Sequence, residues 1–133
     1  MKQGKLILIH VSAGELIDRI TILEIKAERF VDPAKRDHVR QELAMLKAVQ
    51  EQVIEPSSQL TNLTAELKSI NGELWRIEDA IRLCEQEKDF GPRFIDLARS
   101  VYRNNDRRSE LKRRINELAG SILVEEKAYT SYG

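Results

Sequence analysis

Between Leu60 and Cys84 the chain carries a pattern that only a long helix can keep in line. Leu60, Leu63, Leu67, Ile70, Leu74, Ile77, Ile81 and Cys84 alternate steps of three and four through more than three heptads. That is the period of a coiled-coil seam. A helix over 58–88 would run about 45 Å at 1.5 Å per residue. Such a helix is unstable alone in water, so its stripe must be covered. The preceding helix, joined through the short turn "EPSSQ", is the expected cover, giving a long antiparallel coiled-coil hairpin.

The rest of the chain fits around that helix. "KLILIHV" over 5–11 is β-prone and predicts a short strand, which must pair with the tail from Ser121 onward, another loop or a second subunit. "SAGEL" places Ser12 three residues before Glu15, a capping box that opens a helix over 13–30. Leu16, Ile20, Leu23, Ala27 and Phe30 mark one face of that helix, while Ile22 and Ile25 point the other way. A helix apolar on two sides belongs in the middle of a bundle or between subunits. Asp32 and Pro33 start a helix over 33–54, with Val39, Leu43, Leu46, Val49 and Val53 on its buried side. "DFGP" then breaks the chain before a helix over 92–119, which Gly120 stops. The expectation is one all-α domain over 1–133, a helical bundle with a short N-terminal strand.

Composition narrows the partners. With 22 basic and 22 acidic residues the chain has no net field to gather nucleic acid or an anionic membrane. Residues 103–114 carry a local +4 and residues 73–89 a local −3, so neighbouring helices of opposite sign are expected to neutralise each other. One cysteine, Cys84, excludes an internal disulfide and fits a reducing cytoplasm; its seam position makes it a buried thiol. The apolar run "LILI" is too short for a membrane span or a signal-peptide core. His10 and His38 stand without neighbouring ligands at metal-binding spacing, and no glycine-rich phosphate loop occurs, so neither a metal nor a cofactor is expected.

The fourth helix carries the functional question. Phe94, Leu97, Val101, Ile115 and Leu118 form its apolar stripe, yet Arg108 falls in the centre of it, with Asn104, Asn105 and Lys112 close on either side. A buried cation must be paired or open to a wet cleft. Glu24 on the first helix, and Asn71 and Glu78 on the third, are the candidate partners. The resulting layer is a structural network that fixes helix register, a cleft for an anionic metabolite such as a sugar phosphate or nucleotide sugar, or a place where the stripe simply opens to solvent. Free amides at the start of the first helix, near Ser12, offer a further place for an anion.

"VSAGELIDRITILEIKAER" (11–29), "ELWRIEDAIR" (73–82) and "ARSVYRNNDRRSELKRRIN" (98–116) together resemble an uncharacterised bacterial domain family of small helical proteins of this length. The resemblance implies a bacterial, helical protein, and a partner in a surface-sugar pathway. It implies no activity. The "IDRI" segment is also similar to the first helix of helical chorismate mutases, which would give roles to Arg29, Arg108, Lys112 and Glu78. The arginine that family carries near the start of that helix is absent, because the region reads "HVSAGE". The reading is a cytoplasmic homodimer that acts as a non-catalytic interaction or assembly module, with metabolite binding or an enzyme as the alternative.

Overall fold

The long seam closes against the helix that follows it. In the computed structural model, which describes residues 4–121 and 131, the chain forms α1 (Ala13–Arg29), α2 (Pro33–Val53), α3 (Ser58–Glu87) and α4 (Pro92–Ala119). α3 packs along α4, while α1 touches α2, α3 and α4. α2 has α1 as its helical neighbour and makes no helix pair with α3. The expected α2–α3 hairpin is therefore replaced by an α3–α4 hairpin. Length explains the choice, since 21 residues of α2 cannot cover 30 of α3, whereas 28 of α4 can.

The turn between α3 and α4 suits a tight reversal. Lys88 takes a left-handed conformation (φ 56°) at the end of α3, and its N–H returns to the carbonyls of Cys84 and Glu85. The Asp89 carboxylate accepts from the Gly91 amide at 3.1 Å, and Pro92 begins α4 with its φ already helical. Phe90 and Phe94 meet edge to face at 5.3 Å across the corner.

α1 lies at the centre. One face carries Leu16, Ile20 and Leu23, all buried, against which α2 lays its own apolar side. The core joins Leu16, Ile17 and Ile20 to Ile54, Leu60, Leu67, Leu111 and Ile115. The expected second face is present, but Ile22 is only half-buried. Gly14, Asp18, Thr21 and Ile25, spaced four, three and four, form it instead. Of the residues assigned to the buried side of α2, Val49 is 42% and Val53 67% exposed. Burial of α2 follows Val39, Leu43, Leu46 and Ile54, a line that leaves both valines on its shoulder.

Two further expectations change. Residues 5–11 adopt no regular secondary structure, and among the described residues there is no strand. Leu6, Ile7, Leu8 and Ile9 are each at least 71% exposed. The proposed pairing partner, the tail beyond Ser121, lies outside the described residues apart from Ser131. The capping box is half made: Ser12 Oγ accepts from the Glu15 amide at 3.1 Å, but the Glu15 carboxylate turns to α4 rather than back to Ser12.

Candidate functional site: a buried polar layer

α1 and α4 come close enough for backbone to meet side chain. A Cβ built on Gly14 would collide with the Lys112 carbonyl oxygen and stand 2.9 Å from Asn116 Oδ1. Glycine is what allows the approach. In the space it leaves, the Gly14 amide donates to Asn116 Oδ1 at 2.6 Å, and the Ala13 amide reaches Ser121 Oγ at 3.4 Å. The first-turn amides of α1 are thus taken by Ser12, Asn116 and Ser121, which fills the place suggested for an anion.

Arg108, Lys112 and Asn116 repeat every four residues on the inner face of α4, and they climb α1 in the opposite sense. Asn116 meets Gly14, Lys112 Nζ donates to Glu15 Oε2 at 2.8 Å, and Arg108 forks onto Asp18. Arg108 Nε reaches Asp18 Oδ1 at 2.9 Å and its terminal nitrogen reaches Oδ2 at 2.5 Å. This two-point geometry is the strong form of a guanidinium–carboxylate pair. Asp18 is 1% exposed, so the pairing is obligatory: a lone carboxylate there would cost several kcal/mol.

α3 completes the layer through Asn71. Its Nδ2 donates to Asp18 Oδ1 and to Thr21 Oγ1, both at 2.9 Å, while the Thr21 hydroxyl donates to the Asp18 carbonyl at 2.7 Å. Thr21 is fully buried and Asn71 is 6% exposed. One carboxylate on α1 therefore ties α3 to α4. The buried Asn116 Nδ2 has no hydrogen-bond partner among the described residues.

The structure assembles Asn71, Arg108 and Lys112 in the layer and leaves the other candidates out of it. Glu24, expected to face Arg108, pairs with Lys47 of α2 at 3.4 Å. Glu78 is exposed and holds Arg82 one turn along α3 at 3.0 Å. Asn104 is half-buried and donates to the Ser100 carbonyl of its own helix at 2.8 Å. Asn105 is half-buried and makes no side-chain hydrogen bond among the described residues. The acids that answer the cations, Asp18 and Glu15, were missed. The signal for Asp18 was its place in the Gly14–Asp18–Thr21–Ile25 line, a second heptad face hidden because three of its four members are not apolar.

The mutase-like grouping is not assembled either. Arg29 stacks over Trp75 at 5.5 Å, and Phe30 packs on the same ring at 6.2 Å, so Trp75 serves the α1–α3 edge. Cys84 is fully buried in the hairpin. Outside the layer, the Glu28 carboxylate hydrogen-bonds Lys68 at 2.6 Å and raises its pKa above the ordinary 10.5. Among the described residues no group of histidine, cysteine and acidic side chains could hold a metal ion, and no helix is long and apolar enough to cross a membrane.

These features define an all-helical domain whose central first helix is held by a buried acid–base ladder. The chain belongs to a family described as "Family of unknown function (DUF6165)", which matches residues 7–132. Neither the curated proteins nor the solved structures contain a match to it.

Proposed function

We propose that this chain is a non-catalytic interaction or assembly module, in which the polar layer fixes how the helices stack. The observation that carries this reading is the Asp18–Arg108 fork. Asp18 is 1% exposed and engages the donors that an anionic metabolite would otherwise use. Among the described residues, Asp18 and Glu15 answer Arg108 and Lys112 one for one. A site built for a sugar phosphate would instead present an excess of donors. The exposed apolar run Leu6–Ile9 supports a role in contacting another surface.

A thermal-shift screen of the full chain with sugar phosphates, nucleotides and nucleotide sugars tests this reading. None should raise the Tm. A saturable rise with any one class would replace it with the anionic-metabolite alternative, since a ligand of the native state must shift the transition.

A further inference from the structure

α2 is held to the molecule by packing on α1 and by little else. Of its 21 residues Val39 alone is buried, while Leu43 and Leu46 reach the core from half-buried positions. Among the described residues, α1 is its one helical neighbour and no side-chain hydrogen bond joins it to another element. Its polar link is the Lys47–Glu24 ion pair at 3.4 Å. Arg36 Nε, one turn before Val39, is buried with no hydrogen-bond partner, an unmet donor that weighs against the docked state.

α2 is also weak as a helix. Asp32 makes no side-chain cap bond, Lys35 and Arg36 stand in the first turn, and Glu51 stands in the last. Each of those three charges opposes the helix dipole. α1 is built the other way, with Ser12 as a working cap, Glu15 in its first turn and Lys26 and Arg29 in its last. A helix of the length of α2 is marginal by itself in water, so contact with α1 is what keeps it wound.

The other three helices are tied to one another without it. Asp18 takes donors from Asn71 of α3 and Arg108 of α4, and Gly14 and Glu15 engage Asn116 and Lys112. None of these residues belongs to the Leu16–Ile20–Leu23 face that α2 covers. We propose that α2 is a detachable cover, which undocks and unwinds as one unit between the non-helical connections 30–32 and 54–57. Its release bares the Leu16–Ile20–Leu23 face, while the ladder keeps α1, α3 and α4 assembled. The domain then has two states, one with that apolar face hidden and one with it presented to solvent.

Amide exchange of the full chain in low urea tests the proposal. In wild type the amides of 37–53 should share one opening constant, at least about tenfold larger than that of 17–29. Arg108→Met breaks the ladder, which is present whether α2 is docked or not. It should therefore speed exchange over 17–29 and leave 37–53 unchanged, and Gly14→Ala, a milder disturbance of the same ladder, should do likewise to a lesser degree. Leu23→Cys, in a Cys84→Ala background, should react with a thiol reagent at the opening constant that the α2 amides show in the same protein. Equal protection of α1 and α2, or graded fraying along 37–53 in place of one shared opening, would overturn the proposal. So would a ladder variant that speeds α2 as much as α1, or a thiol at position 23 as slow as the α1 amides. None of these outcomes touches the ligand screen, so failure here leaves the reading of the polar layer standing.

Discussion

At the scale of single residues, the two halves of the central ion pair are unequal. The Asp18 side chain is 2% exposed, whereas Arg108 keeps 30% of its side chain accessible. Arg108→Met strands a carboxylate that cannot reach water and should cost about 3 kcal/mol or more. Asp18→Asn leaves a guanidinium that can swing outward, so its cost should be smaller, about 1–2 kcal/mol. The double variant Asp18→Leu, Arg108→Met should recover part of the loss, because the apolar pair needs no counter-charge but takes one acceptor from the buried Asn71 amide. With the single Asp18→Leu variant added, urea unfolding of wild type, Asp18→Leu, Arg108→Met and their double gives the coupling energy, and an Arg108→Met variant of wild-type stability would contradict the buried pair. Gly14→Ala offers a second test. Alanine gains up to about 1 kcal/mol of helix propensity, but its methyl would collide with the Lys112 backbone. A net loss of about 1–3 kcal/mol is expected, read as a lower urea midpoint. In the sequence, Arg108 was legible as a cation inside a stripe, and its acid was not. Glu24 and Asp18 are both one side chain from the apolar face, and only the packing of α2 decides that Glu24 turns to Lys47.

At the scale of elements, α4 divides in two. Its buried residues are Leu111, Lys112, Ile115 and Asn116, all in the last third, where α1 covers the hairpin. Nearer the turn, α4 leaves Ile95 52% and Tyr102 40% exposed. Amide exchange should therefore be faster over residues 95–104 than over 108–117, although both are regular helix. Equal protection along α4 would contradict this two-part description. Ser12→Ala should cost about 1 kcal/mol through loss of the α1 cap, visible as a lowered Tm. The four helices were readable from periodicity, capping residues and the Pro and Gly stops, because those signals are local. The strand was not, since β-propensity at 5–11 stabilises nothing until a neighbour supplies a ladder.

At the scale of the whole molecule, the choice of neighbours separates the expectation from the fold. A seam in α3 states that a partner exists and leaves its identity to length and loop geometry. Two connections of similar shortness flank α3, and the longer helix wins because it covers the entire stripe. α1, buried on two sides, is the axis on which α2 and the α3–α4 hairpin are mounted. Its position also decides the order of assembly. The Gly14 amide and its acceptor on Asn116 are 102 positions apart, and Arg108 follows Asp18 by 90. On a translating ribosome α1 emerges before α4, so the guanidinium that pairs with Asp18 arrives 90 residues later. Until then Asp18 favours water over any apolar surroundings, which holds the nascent segment apart from premature collapse. The helix that organises the finished domain is consequently the last to take its place.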